Sequence, residues 1–486
     1  DSRKRTGQSM KNKYKDLIEQ TFDFPQDEFS VEDNELNFHD IPLMELIKQY
    51  GTPLKITYLP KISQQINRAK RMFNVAMAKV DYKGSYNYCY CTKSSHFSFV
   101  LEEAMKNDIH LETSSAYDIH IINALYDSGV IDKDRYIICN GFKRPQYVEN
   151  IAQLINDGFE NTIPVIDNKE EIDLYDDAIT KKCKIGIRIA SEEEPKFEFY
   201  TSRLGIRYND IINFYKTKIQ KNKKFKLKML HFFINTGIKD TAYYWNELSK
   251  CMNVYCELKA ICPDLDSLNI GGGFPIKNSL DFSYDYEYLT EDIIAQIKNI
   301  CTRNGIDEPH IFTEFGSFTV GDVNQKQQND RENWYMIDSS FITTLPDTWG
   351  INQRYIMLAI NNWDKEYQRV LLGGLTCDSE DFYNSESHIN AIFLPKLEPG
   401  NPQYIGFFHT GPISVDGGFG GIQHCLIPAP KHVIIDRDKD DNEYYTRLFA
   451  KEQSYRSMLR ILDIDGNGFP DRKFRNVRHR YESTGF

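Results

Sequence analysis

The sequence predicts an α/β protein in which a (β/α)8 barrel is followed by a C-terminal antiparallel β domain, a β-sandwich or barrel. Between positions 86 and 316, short apolar, β-rich runs alternate with segments of helical spacing. Beyond about position 331, strand-like runs are joined by short, turn-rich connections with almost no helix. Strand–helix alternation implies parallel βαβ units, and eight of them fit a closed barrel, with a doubly wound open sheet as the alternative.

Eight runs in the first region have the character of buried strands. In chain order they are YNYCYCT (86–92), IHLETS (109–114), YIICNG (136–141), IPVIDN (163–168), KIGIRIAS (184–191), LKMLHFFIN (227–235), LDSLNIGGG (265–273) and PHIFTEFG (309–316). Helical spacing lies between nearly all of them, over 96–108, 147–158, 241–262 and 289–304 among others. These elements make up a predicted barrel over 61–320.

The second region, 321–450, is predicted to be the β domain. Its strand-like runs are RYIMLAI (354–360), RVLLGGL (369–375), NAIFLP (390–395), YIGFF (404–408) and KHVIIDRD (431–438). An early run, TPLKITYL (52–59), precedes a helix and is expected to join the same sheet, so that 35–60 belongs to a discontinuous β domain. We expect residues 1–34 to be a polar tail and 451–486 to be mobile.

The composition is that of a globular protein, with 41 % hydrophobic and 27 % charged residues. A net charge of −11 argues against nucleic acid or an anionic membrane surface as the main partner. No apolar run is long enough to span a membrane, and the basic start of the sequence lacks the apolar core of a secretory signal. Ten cysteines without a C-x-x-C pair or metal-type grouping predict reduced thiols in a cytoplasmic protein, and no metal site.

Barrel enzymes place their reactive groups at the C-terminal ends of the strands, and four features fall there. Lys93 follows the first strand, on the same face as Cys91 and Cys89, where we expect desolvation to lower its pKa toward that of a usable amine nucleophile. A lysine that only begins the next helix is the alternative. His231 lies in an apolar run, where a histidine satisfied within the core is the more common case.

The other two features are glycines and a carboxylate. Bare amides at Gly271, Gly272 and Gly273 are able to cradle a phosphate, although a plain turn is also compatible with them. Glu314 ends the last strand, where a carboxylate keeps a pyridine nitrogen protonated or pairs with an arginine. An amine, a phosphate cradle and a ring-pairing acid together indicate pyridoxal 5′-phosphate.

With these residues in place, the chain resembles the barrel-type (fold type III) pyridoxal-phosphate decarboxylases of ornithine, diaminopimelate and arginine, which are related in fold to alanine racemase. The likeness covers roughly 35 to 450 and is greatest to the biosynthetic arginine decarboxylases. The motifs that carry it occur in the family's order: YGTPL (50–54), YCTK (90–93), LETSSAYD (111–118), ICNGFK (138–143), GIRIAS (186–191), SRLGI (202–206), GGGF (271–274), EFGS (314–317) and TCDSED (376–381).

The resemblance implies a role for each matching residue. Lys93 would bind the cofactor covalently, and Glu314 would pair with its ring nitrogen. Cys377 would reach the neighbouring subunit's site and protonate the product carbon, in a homodimer with its sites at the interface. Acidic side chains are expected near Lys93 at Glu112 and Asp118. The remaining cofactor-binding residues are expected to be His231, Phe233, Thr236, Gly271, Gly272, Gly273, Gly316 and Ser317.

The resemblance also implies a small amino acid as substrate. Decarboxylases of basic amino acids need carboxylates for the distal amine or guanidinium, and Asp378 and Asp347 are available. Ser317 stands where the family has an arginine, which removes a cation. Arginine, converted to agmatine for polyamine (spermidine) biosynthesis, is therefore the first choice, with ornithine, lysine, carboxynorspermidine and diaminopimelate as alternatives.

Three departures from the family's pattern keep a second hypothesis open. Pro412 and Ile413 replace an alanine–tyrosine pair, a short segment is missing after Val320, and Phe233 replaces a stacking histidine. A catalytically impaired homologue that acts as a regulatory or binding partner is therefore the alternative to an active carboxy-lyase. A racemase is a third possibility, because the same cofactor supports proton loss.

Overall fold

The N-terminal part of the chain is folded rather than a loose tail. The computed structural model describes residues 12–191, 204–234, 241–316, 318, 333–387, 389–410, 424–462 and 464. The first elements are α1 (Tyr14–Thr21), β1 (Phe29–Glu32), β2 (Glu35–Phe38), β3 (Ile41–Pro42), α2 (Leu43–Tyr50) and β4 (Leu54–Tyr58). Tyr14 and Phe29 are each 1 % exposed, and the Tyr14 ring meets Trp363 edge-on at 4.9 Å. Apolar burial of these aromatic residues orders a stretch that its polar composition made look disordered.

The next region is a closed parallel barrel. Its strands are β5 (Tyr86–Cys91), β6 (His110–Thr113), β7 (Ile137–Cys139), β8 (Thr162–Ile166), β9 (Cys183–Ala190), β11 (Phe225–Phe232), β12 (Ser267–Asn269) and β13 (His310–Phe315), with a short β10 (Ile206–Arg207) beside β9. Each pairs in parallel with the next, β13 returns to β5, and β8 pairs with β9. This closure confirms the eight-stranded barrel and excludes the open sheet.

Helices surround the barrel. They are α3 (Pro60–Lys79), α4 (Ser98–Met105), α5 (Asp118–Asp127), α6 (Pro145–Asn156), α7 (Glu171–Ala178), α8 (Tyr208–Phe214), α9 (Thr241–Ile261) and α10 (Tyr286–Asn304). Local signals set their limits, as in α10, where the Asp285 carboxylate caps the Tyr288 amide and Gly305 ends the helix at φ +64°. Inside the strands, a separate apolar cluster fills the barrel and forms the floor beneath its mouth; its members are Cys89, Ile138, Ile163, Val165, Met229 and Phe312.

The remaining elements form the second domain. They are β14 (Asn333–Met336), α11 (Phe341–Thr344), α12 (Asp347–Gly350), β15 (Ile356–Ala359), β16 (Tyr367–Gly373), β17 (Phe382–Tyr383), β18 (Ile392–Pro395), β19 (Ile405–Phe408), β20 (Lys431–Arg437), β21 (Tyr444–Ala450) and α13 (Tyr455–Ile461). Most pairings are antiparallel, but β14 with β16 and β20 with β4 are parallel, so the domain is not purely antiparallel as predicted. The pairing of β4 with β20 brings the early strand into this domain.

The C-terminal stretch is also more ordered at its start than predicted. The Ser454 hydroxyl caps the start of helix α13, and the helix buries Met458. Residues 455–461 are therefore not part of the mobile tail that was expected. No helix among the described residues is both long and apolar enough to cross a membrane. The described residues likewise contain no group of histidine, cysteine and acidic side chains suited to hold a metal ion.

Candidate active site

Lys93 lies at the barrel mouth on a turn of 3-10 helix, Thr92–Ser94, that directly follows β5. Neighbouring groups fix this turn from both sides. The Thr92 hydroxyl donates to the Glu112 carbonyl at 3.1 Å, and the Tyr90 hydroxyl donates to the Ser95 carbonyl at 3.0 Å. Gly316 packs against the turn so closely that a Cβ there would overlap the Ser94 Oγ. The loop after the last strand thus leaves room only for glycine beside the lysine turn.

The Lys93 side chain is accessible to solvent, although most residues around it are buried. The negative charge of Glu112 raises the pKa of Lys93 and outweighs the effect of desolvation. The prediction that desolvation lowers the pKa of Lys93 is therefore wrong for the cofactor-free chain, because it left out the acid at the end of the adjacent strand. By contrast, Lys143, the lysine of ICNGFK, is fully buried and pairs with Asp167 and Glu171.

Two buried acids face each other beside Lys93, and one asparagine bridges them. The Asn140 Nδ2 donates to Glu112 Oε1 at 3.1 Å and to both oxygens of Glu314, at 2.9 and 3.0 Å. Asn269 Nδ2 donates to Glu314 Oε1 at 2.6 Å, and its Oδ1 accepts the Gly271 amide at 2.9 Å. Strands β6, β7, β12 and β13 each end at this network, so four distant parts of the chain build it.

The two acids differ in their surroundings. Burial, and then the charge of Glu314, raise the pKa of Glu112 to about 8. Glu314 receives two amide donors, whereas Glu112 receives one and its Oε2 has no hydrogen-bond partner. Asp118, the other acid expected near Lys93, accepts hydrogen bonds from the Ser114 and Ser115 amides and from His96, and so fixes the loop after β6.

His231 and Phe233 lie at the end of β11, on the other side of Glu314. His231 is 2 % exposed, and its Nε2 lies 3.5 Å from Glu314 Oε2. Burial lowers the pKa of His231, so its ring is neutral at physiological pH. The Arg188 guanidinium lies 5.8 Å from the centre of the Phe233 ring. Both aromatic residues therefore belong to the lining of the mouth, as does an arginine that the sequence did not single out.

The glycine run has packing reasons of its own. Gly271 has φ +68°, and a Cβ there would lie 3.0 Å from the Phe233 ring. A Cβ on Gly272 would lie 2.5 Å from the Glu314 carbonyl oxygen, closer than real side chains come. Gly273 has φ +89°. The run brings the loop after β12 directly against the strand that carries Glu314, and the phosphate-cradle role stays a prediction.

Several predicted positions lie outside the described residues. They are Thr236 and Ser317 of the predicted phosphate end, Pro412 and Ile413 of the altered motif, and the segment that follows Val320.

Three predicted residues lie in the β domain rather than at the mouth of the same chain's barrel strands. Cys377 is exposed, and Asp378 is half-buried, on the loop between β16 and β17. Asp381 anchors this loop: its carboxylate accepts the Phe341 amide at 2.7 Å, the Ser340 hydroxyl at 2.9 Å, and the Thr376 amide and hydroxyl at 2.9 and 2.5 Å. Asp347 begins α12 and is 5 % exposed.

The mouth contains buried polar atoms that lack hydrogen-bond partners within the described part of the chain. They belong to four residues that surround Lys93 and Glu314: Glu112 Oε2, Asn140 Oδ1, Arg188 Nε, and both ring nitrogens of His231. Unpaired buried polar groups cost free energy, so a cluster of them indicates a site shaped for a polar ligand. Donors, acceptors and an accessible amine together fit a phosphorylated pyridine aldehyde.

Sequence reasoning missed three polar residues that line this mouth. Asn140, Arg188 and Asn269 all lie in segments recognised as strands, each as a polar side chain at or near a strand's C-terminal end. A polar side chain at the C-terminal end of a barrel strand is the feature that would have identified them, and among side chains it was applied to Lys93, His231 and Glu314.

Comparison with known proteins gives the same assignment. Residues 60–321, more than half of the chain, match the family described as pyridoxal-dependent decarboxylase, pyridoxal binding domain. The chain is 22 % identical to arginine decarboxylase 2 of Arabidopsis thaliana, over 92 % of this chain and 79 % of that protein. It is 26 % identical to the biosynthetic arginine decarboxylase of Prochlorococcus marinus (strain AS9601), over 87 % and 85 %.

Solved structures share the fold. The biosynthetic arginine decarboxylase of Campylobacter jejuni aligns with a TM-score of 0.75 at 18 % identity, over 97 % of this chain and 93 % of that chain. Diaminopimelate decarboxylase of M. jannaschii, in complex with L-lysine, aligns with a TM-score of 0.72 at 17 % identity, over 89 % and 97 %. With the matched barrel and its mouth, the chain belongs to the family of pyridoxal-dependent decarboxylases.

Proposed function

We propose that this protein removes the α-carboxylate of a basic amino acid with pyridoxal phosphate as cofactor, and that L-arginine is its preferred substrate. The observation that carries the proposal is the accessible Lys93 amine beside two bridged carboxylates, among buried polar atoms that lack partners. The arginine decarboxylases among its relatives support the substrate, and so does the absence of a cation at position 317.

The cofactor would be held by residues from most of the barrel strands. Lys93 would hold it covalently, Glu314 would pair with its ring nitrogen, and the phosphate would be received by Gly271, Gly272, Gly273, Gly316, Ser317 and Thr236. When bound, pyridoxal phosphate supplies an electron-withdrawing ring that stabilises the charge left by departing CO2. The buried, neutral His231 and the Phe233 ring line the cavity and keep water away from its floor.

The substrate's far end would be bound by carboxylates of the β domain. Asp378 lies next to Cys377 on the loop that Asp381 anchors. Asp347 is a buried residue of the same β domain, at the start of α12. A guanidinium bound by carboxylates forms paired, charge-assisted hydrogen bonds, which discriminate against substrates with a distal carboxylate. Diaminopimelate is the substrate that this arrangement disfavours most.

Two steps test the activity. Purified protein is loaded with pyridoxal phosphate, and CO2 release is measured with arginine, ornithine, lysine, carboxynorspermidine and diaminopimelate as competing substrates. Agmatine as the main product from an equimolar mixture supports the proposal. CO2 release from diaminopimelate in preference to every basic amino acid would overturn the substrate assignment, and amino-acid racemisation without CO2 would overturn the reaction.

A catalytically impaired homologue is the second candidate, because Pro412 and Ile413 remove an amide donor and a phenol from the family's last site motif. The double variant Pro412→Ala/Ile413→Tyr separates the two. A rise of more than about tenfold in cofactor affinity, with activity appearing only in the variant, identifies the natural protein as impaired. Equal activity in both identifies an enzyme that tolerates the change.

We also propose a homodimer in which Cys377 and Asp378 complete the partner's site. Mixing inactive Lys93→Ala protein with inactive Cys377→Ala protein tests this directly. Random exchange of subunits restores about a quarter of wild-type activity if sites are shared, because half of the dimers then carry one intact site. No recovery in a mixture shown to exchange subunits would place each site within a single chain. The eight buried free cysteines fit a reducing compartment such as the cytoplasm.

A further inference from the structure

Asn140 donates hydrogen bonds to both acids of the mouth. Its Nδ2 lies within hydrogen-bond distance of three carboxylate oxygens, Glu112 Oε1 and both oxygens of Glu314. It is 7 % exposed, and from the end of β7, next to β6, its side chain reaches across the mouth to Glu314 on β13. An amide nitrogen that donates to two carboxyl groups holds them close together.

The donors are divided unequally between the two acids. Glu314 receives Asn140 on both oxygens and Asn269 on Oε1, and the edge of His231 lies 3.5 Å from Oε2. Glu112 receives one amide donor, Asn140 on Oε1, with the Cys91 thiol as a weaker neighbour, and its Oε2 has no partner among the described residues. Hydrogen bonds to a carboxylate favour its charged form, and two nearby carboxyl groups in a buried site resist double ionisation. Burial and a single amide donor therefore favour the protonated form of Glu112, whose pKa is raised.

We propose that Asn140 is a positioning residue that holds Glu112 and Glu314 side by side at the mouth and, through its hydrogen bond to Glu112, makes the Glu112 proton easier to remove. Its use in decarboxylation rests on the proposed function, since that function pairs Glu314 with the pyridine nitrogen. The arrangement itself does not depend on that function. Other charged or titratable groups that face the pair are Lys93, Cys89, Cys91, His231 and Arg188.

The test is a titration of the cofactor-free protein by infrared spectroscopy, which observes the C=O stretch of protonated carboxyl groups. Subtracting the spectrum of Glu112→Gln isolates the Glu112 band, which is expected to disappear with a midpoint near pH 8. In Asn140→Leu, which is similar in size but has no donor, the midpoint moves up by about one pH unit, a roughly tenfold higher proton affinity. Asn140→Ser retains one donor, and a smaller upward shift is expected.

Asn156→Leu is the matched control. At the end of α6, its amide nitrogen donates to the Ala178 carbonyl at 3.3 Å and its amide oxygen accepts from the Thr180 amide and hydroxyl, so the same change there removes hydrogen bonds without touching the acids. We expect the Glu112 midpoint to stay at its wild-type value. A merely structural role for Asn140 would lower thermal stability in both variants and leave the carboxyl titration unchanged.

Two outcomes would overturn the proposal. One is an unchanged midpoint in folded Asn140→Leu; if that variant fails to fold, an unchanged midpoint in Asn140→Ser decides. The other is a protonated-carboxyl band near pH 7 that Glu314→Gln removes and Glu112→Gln leaves. Pyridoxal-phosphate affinity is measured separately and is expected to fall on the order of tenfold in Asn140→Leu. Wild-type protein that binds no pyridoxal phosphate would refute the proposed function alone, because the titration does not involve the cofactor.

Discussion

The barrel mouth and the loop that carries Cys377 differ in how many contacts their side chains make within one chain. At the mouth, hydrogen bonds from Asn140 and Asn269 link the acids, and the lysine turn is fixed on both sides. In the β domain, Asp381 anchors the base of the loop, but Cys377 at its tip is exposed.

Under the proposed function, this contrast would separate the groups that bind the cofactor from those that act on the substrate. The groups at the mouth are assembled by strand ends of one barrel, whereas Cys377 on the loop is exposed, as the proposed homodimer requires. Changes at the mouth should therefore abolish activity within each chain. Changes on the loop should be smaller and open to rescue by a partner.

The largest effect is expected for Lys93→Ala. Removing the amine eliminates covalent binding of the cofactor, and activity should fall by on the order of 10³-fold or more. Lys93→Arg is the control, because it keeps the positive charge beside Glu112 but has no nucleophilic amine. Steady-state CO2 release should show the same loss in both variants; near-normal activity in Lys93→Arg would mean that charge alone suffices.

Glu314→Gln should have the next largest effect, about 10²-fold in kcat, because a neutral amide no longer stabilises a protonated ring nitrogen. Glu103→Gln serves as the matched control, since Glu103 is a buried barrel acid that bonds Ser63 away from the mouth. Kinetics with arginine measure both. Equal losses of kcat in the two variants would mean that Glu314 has only a structural role.

Stability of the cofactor-free protein should depend on pH through Glu112. Its pKa is raised from 4.5 to about 8 on folding, so the stabilisation is complete below about pH 4.5 and is lost as pH rises through 8. Relative to Glu112→Gln, wild-type protein should lose a few kcal/mol of unfolding free energy over that range. Denaturant titrations at several pH values measure the difference; parallel curves for the two proteins would contradict it.

The smallest effect on activity is expected for Asp381→Asn. The amide keeps the shape but is a weaker acceptor for the four hydrogen bonds that anchor the loop, so kcat should fall about tenfold and stability by about 1–3 kcal/mol. The mixing experiment sharpens the comparison: Asp381→Asn should regain activity with a Lys93→Ala partner. If Asp381→Asn lost as much activity as Lys93→Ala and the partner did not restore it, the proposed difference between the two regions would be contradicted.

The barrel was predictable because its strands repeat one local pattern, an apolar run that ends in polar residues before a helix. The pattern identified all eight strands and placed Lys93, His231 and Glu314 at the correct end. It failed where burial depends on distant partners. Tyr14 and Phe29 look like members of a polar tail until Trp363 and the β domain cover them.

The bridging residues of the site were not predictable for a related reason. Asn140 and Asn269 are unremarkable in sequence, and their roles arise only when β7, β12 and β13 place them around Glu314. The raised pKa of Lys93 likewise comes from Glu112, nineteen positions away along the chain and at the end of the adjacent strand. Closing the barrel creates these contacts, and no local pattern contains them.

The most direct measurement of the central claim is the site of covalent attachment of pyridoxal phosphate. Purified protein is incubated with the cofactor, reduced with borohydride, digested and mapped by mass spectrometry. The account predicts one stable adduct, on Lys93, which is absent from Lys93→Ala and from protein left without cofactor. An adduct on another lysine with Lys93 unmodified, or none in folded protein at saturating cofactor, would contradict it.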